Sequence, residues 1–488
     1  MAVHTTISRQ EFISRRLICF LGVRRISGKT DLSLNGGIIE GVWIFARHGD
    51  RTPSRSLCAS HRKDEEASFW NSKLPPPDPL TALKKLSVYF PPNIHESNGE
   101  KFVDVSRSPF GFLTKIGIDQ LSTNGRRFFL RYDNHGHRCP STGRPDPNSF
   151  LHSWNIRAYS TNYLRTILSV QCFLDGLLST RCYNPMSSLM PGDPLSDMQI
   201  GNIAPYVDVQ VRDRTTDNLN AFDRNPELIE TLVTEVVSAE NFLKNDAKAA
   251  GLAARLANFL PGLVRPGRKT FGGPSGINWV EAADHFVCRA SHGVRFSRFS
   301  EFENDSAAEK LLEAMEYQTI LHLAWRFRQW YQYPPLLAEI AAPVLREVIE
   351  EVKETTELEL QDRRPFFVYS CHDVTILALL YALGADFLAD DEKGNWRYWP
   401  EYGSTLIFEL VRTKDEIGRT LHVVRVLLNG KPIRVVNMLD QHEDTDSSSG
   451  SKHDYVGQGP MNMLTIACFE KVVSNLETVG GILHRSAS

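Results

Sequence analysis

The sequence has no apolar run near the roughly 20 residues that a membrane-spanning helix needs. It has no cysteines spaced as CxxC and no marked excess of either charge. A formal net charge of -3 offers no general field for nucleic acid, so no nucleic-acid partner is expected, and any anion site must be built locally from a few aimed cations. Cys19, Cys58, Cys139, Cys172, Cys182, Cys288, Cys371 and Cys468 are scattered, which argues against a zinc module or a small disulfide scaffold and fits free thiols. Glycosylation signals are scarce as well: Asn304-Asp305-Ser306 is the only sequon, which favours an intracellular place over the secretory route. Acidic residues are rare at the start of the chain. Before Asp31 only Glu11 is acidic, while Arg15, Arg16, Arg24 and Arg25 bracket a short apolar core. Residues 1–35 therefore read as a basic extension, either a transit peptide that would take the chain to mitochondria or a plain basic tail.

At 488 residues the chain suits two or three domains. Three stretches, "GIIEGVWIFA", "WNIRAYS" and "RPFFVYS", are rich in apolar, β-branched or aromatic residues and end in polar chemistry, as strands do. Each is followed by a helical pattern: apolar residues recur from Leu113 to Leu130 with Thr114 as N-cap, then come "TNYLRTILSVQCFLDGLL" and "DVTILALLYALG", the last closed by Gly384. The alternation predicts an α/β fold, a mainly parallel sheet with helices on both faces. From about 196 to 345 the pattern is helical, and strand character resumes at "RPFFVYS". We therefore expect a discontinuous α/β core, 36–195 and 346–488, interrupted by an inserted, mostly α-helical domain at 196–345. "STLIFELVR" and "TLHVVRVLLNG" would complete the sheet. The low-complexity stretch 440–459 reads as a solvated loop, since its acidic residues lack the closing glutamate of a calcium loop.

In an open α/β sheet, ligands bind beyond the carboxyl ends of the strands. There the first strand delivers "RHGDRTP", with Arg47, His48 and Arg51; the second leads into a helix carrying Arg165; the third ends in "CHD", with His372 and Asp373. Singly, each has a plainer role: an arginine after a strand is usually a surface ion pair, Asp373 is a serviceable N-cap, and Cys371 is a small buried hydrophobe. Jointly, three arginines, two histidines and a carboxylic acid at one edge suit phosphoryl transfer. Charge spreads over the equatorial oxygens of the transferring group, guanidinium forks bind it bidentately, and no metal or other cofactor is needed. His48 suits the nucleophile, one ring nitrogen attacking while the other donates to a backbone carbonyl. Asp373 suits the proton donor to the leaving oxygen.

"RHGDRTP" with "CHD" resembles the histidine acid phosphatase branch of the histidine phosphatase superfamily. "FLTKIGIDQLSTNGRRF" is similar to that family's "LTxxGxxQxxxLGxxxR", and "STNYLRTILSV" to its "STDxxRTxxS". The resemblance implies that His48 becomes phosphorylated, that Arg47, Arg51, Arg165 and His372 bind phosphate, and that Asp373 gives the proton. One departure is visible: the family often has an arginine just before its "ST", whereas here Tyr159 precedes Ser160 and Arg157 lies further upstream. The alternatives are a phosphohistidine mutase, which would hand the phosphoryl group to another hydroxyl, an inositol-phosphate (phytase-like) phosphatase, and a phospholigand binder with a dead site.

The expected partner is a small-molecule phosphomonoester. "LAWRFRQWYQYPPLL" gathers Trp325, Phe327, Trp330, Tyr331 and Tyr333, more aromatic surface than one amphipathic face requires. These rings either pack the insert onto the core or give an apolar wall to one acyl chain, which would suit a lysophospholipid such as lysophosphatidic acid.

Overall fold

Side chains along the first strand, β1 (Ile38–Arg47), sort by the two-residue period of extended backbone. Val42 and Ile44 bury against one face of the sheet, Trp43 and Phe45 against the other. The computed structural model describes residues 37–58, 60–75, 88–89, 107–133, 147–178, 207, 209–264, 276–357, 363–389, 398–415, 417–435 and 463–486. The basic segment 1–35, the loop 440–459 and Cys19, Cys139 and Cys182 lie outside the described residues.

Eight further described strands join β1: β2 (Val88–Tyr89), β3 (Trp154–Ser160), β4 (Val209–Val211), β5 (Arg364–Cys371), β6 (Thr405–Lys414), β7 (Thr420–Leu428), β8 (Lys431–Pro432) and β9 (Met463–Thr465). They form one sheet in the order β2-β4-β3-β5-β1-β6-β7-β8, with β9 also against β7. From β2 to β1 every pairing is parallel. From β1 to β8 every pairing is antiparallel, and β6 and β7 are consecutive in sequence, so a short hairpin turn joins them. The fold is α/β, parallel in the half where "WNIRAYS", "RPFFVYS" and "GIIEGVWIFA" lie side by side.

β5 repeats the sorting of β1: Phe366 and Val368 face one layer, Phe367, Tyr369 and Cys371 the other. On that second face the rings form a stacked row, Trp43 on Phe367 at 5.9 Å, Phe45 on Tyr369 at 4.6 Å and Tyr159 on Tyr369 at 5.2 Å. Tyr159, the departure from the family pattern, is thus part of ordinary strand packing. The first face is covered by the helices Lys115–Tyr132 and Leu164–Leu178. Thr114 caps the former, its side chain accepting from the Gly117 amide at 3.2 Å. The second face is covered by Pro334–Glu357, Asp373–Ala382 and Ile466–Ser486.

Between 220 and 331 the described chain is helical: Pro226–Ser238, Glu240–Asp246, Ala250–Phe259, Trp279–Ser291 and Ser306–Tyr331. The last is started by Asp305, whose carboxylate accepts from the amides of Ala307 at 2.8 Å and Ala308 at 3.2 Å. Three of the five rings of the aromatic stretch pack rather than line a surface. Phe327, Trp330 and Tyr331 are at most 2% exposed, share a core with Trp43 and Phe45, and the Tyr331 hydroxyl donates to the Val374 carbonyl at 2.9 Å. Trp325 stacks on His322, and Tyr333 donates to Glu235. The five described cysteines are free thiols. No helix among the described residues is long and apolar enough to cross a membrane.

Candidate active site

Register brings the charged ends together. Arg47 lies opposite Cys371 and Ser160 opposite Ser370, so one residue further on His48 follows β1, Thr161 and Asn162 follow β3, and His372 follows β5 at one level. β6 is antiparallel to β1, and therefore its beginning reaches this edge. The Arg47 amide donates to the Ser404 carbonyl at 2.9 Å and the Gly403 amide to the His48 carbonyl at 3.1 Å. The segment 398–404 thereby becomes a wall of the site.

After His48 the chain turns sharply over the start of the helix Lys115–Tyr132. A Cβ on Gly49 would lie 2.6 Å from the Gly117 carbonyl oxygen, and one on Gly117 would collide with the backbone of Asp50. The glycine of "RHG" and that of "LTKIG" thus meet backbone to backbone, where only glycine fits. Asp50 is fully buried: its carboxylate accepts from Thr114 and Ser291 hydroxyls and lies 2.8 Å from His292 Nε2. The Gly49 amide donates to Ser169 Oγ at 3.1 Å.

His48 Nδ1 lies 2.9 Å from the Gly49 carbonyl oxygen, an acceptor only, so Nδ1 carries the proton and Nε2 keeps its lone pair. Burial holds this imidazole well below the usual histidine range, helped by Arg165, Arg47, Arg51 and His372. His372 is depressed in the same way, by burial and then by Arg165, Arg51 and Arg47. The two rings stand 5.7 Å apart, and His372 Nε2 lies 3.2 Å from Thr161 Oγ1. Burial first, and the surrounding arginines after it, disfavour the charged form of both bases.

Each arginine is held in its own way. Arg47 pairs with Asp373 Oδ2 at 2.7 Å, donates to the Pro400 carbonyl at 2.5 Å and lies 4.4 Å over the Tyr402 ring. Arg51 pairs with Asp284 at 2.8 Å and donates to the Thr52 carbonyl at 2.9 Å. Burial would raise the Asp284 carboxyl, but Arg51 and the Ser54 amide outweigh it and hold it below its ordinary range. Arg165 lies 4.3 Å over the Tyr163 ring. Asp373 opens its helix, Oδ1 accepting from the Val374 amide at 2.9 Å and Oδ2 from Trp399 Nε1 at 3.1 Å.

Arg47, His48, Arg51, Arg165, His372 and Asp373 therefore come to one edge. Asp284, Tyr163, Trp399 and Tyr402 join them without having been singled out from the sequence. Asp284 sits on the helix Trp279–Ser291, which Asn278 caps by accepting from the Glu281 amide at 3.2 Å. Glu401, beside Tyr402, has a carboxyl that burial pushes up to about 7 against the pull of Arg47. The Cys371 thiol is buried and pushed far up by that burial, unlike a nucleophile. Among the described residues no group of three or more His, Cys, Asp or Glu side chains is placed to hold a metal ion. What this arrangement can do is accept a phosphoryl group on a neutral imidazole nitrogen inside a fork of guanidinium groups.

Residues 38–429 match the family profile described as histidine phosphatase superfamily (branch 2). Among solved structures, the chain is similar to the phytase from Citrobacter braakii, at 13% identity and a TM-score of 0.45 over 90% of this chain and 98% of that one. It is similar to the multiple inositol polyphosphate phosphatase of Bifidobacterium longum, at 13% identity and a TM-score of 0.48 over 92% and 94%. The phytase of Klebsiella sp. ASR1 gives 13% and 0.45 over 91% and 96%. Comparison with curated proteins found no match. A profile match over most of its length shows that this chain belongs to the histidine phosphatase superfamily, branch 2, the histidine acid phosphatases, and is a phosphoric monoester hydrolase.

Proposed function

We propose that the protein hydrolyses a phosphomonoester through a covalent phosphohistidine on His48. The observation that carries this is the His48 imidazole itself, neutral, pinned through Nδ1 to the Gly49 carbonyl and ringed by Arg165, Arg47 and Arg51. His48 Nε2 attacks phosphorus as the ester oxygen leaves, and that oxygen takes a proton from Asp373 to depart as an alcohol. Turning Arg47 from Asp373 Oδ2 to the phosphate would free that carboxylate oxygen to carry the proton. Water then attacks the phosphoramidate, giving its proton to the Asp373 carboxylate, and inorganic phosphate and free His48 result.

For the substrate we propose one phosphate on an otherwise uncharged body, with lysophosphatidate as the leading example. The motif set also resembles that of lysophosphatidic acid phosphatase type 6. What supports a single phosphate is the pairing of neighbouring cations: Arg55 with Glu281 at 2.7 Å, Arg212 with Glu347 at 2.8 Å and Arg214 with Asp223 at 3.4 Å. A body crowded with phosphates would have to displace those carboxylates. The acyl wall in this reading comes from the partly exposed Trp399 and Tyr163 rather than from the buried rings Phe327, Trp330 and Tyr331.

Phosphate release measured across lysophosphatidate, inositol phosphates, sugar phosphates and phosphotyrosine tests both halves. The expected result is release from monophosphates, with kcat/KM for monomeric lysophosphatidate climbing with acyl length by up to about fourfold per methylene before levelling. Preference for inositol hexakisphosphate would overturn the substrate, and conversion to an isomeric phosphoester without free phosphate would overturn hydrolysis.

A further inference from the structure

The glutamine of "LTKIGIDQ", Gln120, lies three residues after Gly117 on the helix Lys115–Tyr132, so the two share a face. That face meets the turn after His48. Gly117 packs against the backbone of Gly49 and Asp50, and Gln120 Oε1 accepts from the Asp50 amide at 2.8 Å. The other end of the same peptide unit, the Gly49 carbonyl, lies 2.9 Å from His48 Nδ1.

Both flanks of this peptide unit are anchored in ways that leave its plane free. Before it, the Gly49 amide donates to Ser169 Oγ at 3.1 Å. After it, the Asp50 carbonyl accepts from the Thr114 amide at 3.0 Å, while the Asp50 carboxylate takes the Thr114 and Ser291 hydroxyls and lies 2.8 Å from His292 Nε2. With both ends held, the unit can still turn about the line joining the two Cα atoms, and glycine on one side tolerates either orientation. A peptide unit is planar and its N–H and C=O point opposite ways, so holding the N–H aims the carbonyl. Turned over, the unit would offer the Asp50 N–H to His48 Nδ1. Nδ1 would then accept, the ring proton would sit on Nε2, and the lone pair that attacks phosphorus would be lost.

We infer that Gln120 is a positioning residue that fixes the tautomer of His48 through the peptide between Gly49 and Asp50. The inference rests on the reading of His48 Nε2 as the nucleophile.

Long-range ¹H–¹⁵N correlation of the full chain labelled with ¹⁵N-histidine shows which ring nitrogen carries the proton, with His48 assigned against His48→Asn. In the parent the proton should sit on Nδ1. Gln120→Met keeps the length of the side chain without its oxygen, and it should shift the proton toward Nε2 and lower kcat/KM by roughly 10²-fold. Inorganic phosphate, followed by titration calorimetry, should still bind that variant within about threefold of the parent, since the guanidinium groups are untouched. Gln120→Glu restores an acceptor, and it should keep the proton on Nδ1 and kcat/KM within about fivefold of the parent. Gln120→Ala stands in if the methionine variant does not fold. A parent protonated on Nε2, or a Gln120→Met protein with the parent tautomer, would overturn the inference. So would a glutamate variant as slow as the methionine one, or phosphate affinity that falls in step with kcat/KM. The spectrum needs no turnover and phosphohistidine trapping needs no change at Gln120, so a failed tautomer and a missing phosphohistidine are told apart.

Discussion

Arginine is buried in two clusters that share one helix, and the clusters use it to opposite ends. From the helix Trp279–Ser291, Arg289 reaches Glu66 at 2.6 Å with both side chains 1% exposed. The carboxylate also accepts from Trp70 Nε1 at 3.2 Å and Ser56 Oγ at 2.6 Å, so opposite charges meet and the acceptors are satisfied. One turn earlier Asp284 steadies Arg51, and there three cations gather around two imidazoles whose charged forms burial, and then these cations, disfavour. The first cluster is closed on itself. The second sets three arginines around two imidazoles and pairs two of them with Asp373 and Asp284 at its margin, an arrangement suited to receiving an anion between them. Buried ion chemistry marks a site by how the charges are grouped, not by how many there are.

Breaking the second cluster at its acid should have the largest effect. Asp373→Asn should slow alkyl phosphates by as much as about 10⁴-fold while sparing aryl phosphates, whose leaving groups need little help. Steady-state kinetics on matched alkyl and aryl esters decides, and equal losses would reduce Asp373 to a helix-start residue and an anchor for Arg47. Breaking the first cluster should act on stability instead. Arg289→Met leaves Glu66 buried without its cation and should cost about 3–5 kcal/mol in denaturant unfolding. KM of the folded fraction should stay within about threefold, since the pair touches no phosphate-binding group. A large rise in KM with unchanged stability would erase the distinction between the clusters.

Arg165→Ala should invert that pattern, lowering kcat/KM by about 10²–10³-fold while changing stability by less than Arg289→Met does. The smallest effect is in pH. The folded His48 lies below its ordinary 6.5, so as pH falls through 6.5 the unfolded chain takes up a proton that the folded chain refuses, and stability drops. The folded Glu66 lies below its ordinary 4.5, because Arg289 and the Ser56 hydrogen bond outweigh the effect of burial. Its stabilisation is therefore present above 4.5 and lost only as pH falls below that value. The difference in thermal midpoint between parent and His48→Asn should thus vary with pH below 6.5 while carboxylates are still ionised. A difference that changes only below 4.5 would place His48 in the closed class.

The half of the site that stands at the ends of β1, β3 and β5 was legible, because a parallel strand is a run of apolar residues whose exit is written in the next few letters. "WNIRAYS" is β3 residue for residue, and Thr114 is the cap that its position implied. The wall formed by Trp399, Glu401 and Tyr402 was not legible. It lies before a strand, and only the antiparallel pairing of β6 with β1 turns that beginning toward His48. β4 has three residues, too few to show an alternation. Asp284 sat in a readable helix, but which of that helix's charges would face Arg51 depends on how the segment 196–345 docks. The aromatic stretch shows the same limit: composition announced Phe327, Trp330 and Tyr331, and only packing assigned them to the core.

The central claim is that phosphate passes through His48. The protein should be mixed with a ³²P-labelled phosphomonoester, quenched during turnover, denatured and analysed for bound label beside His48→Ala. A phosphohistidine predicts label that is lost in acid, kept in alkali, located on the peptide carrying "RHGDRTP" and absent from the variant, which should also show no turnover. Label that survives acid, or a His48→Ala protein that still turns over at the parent rate, would contradict the account.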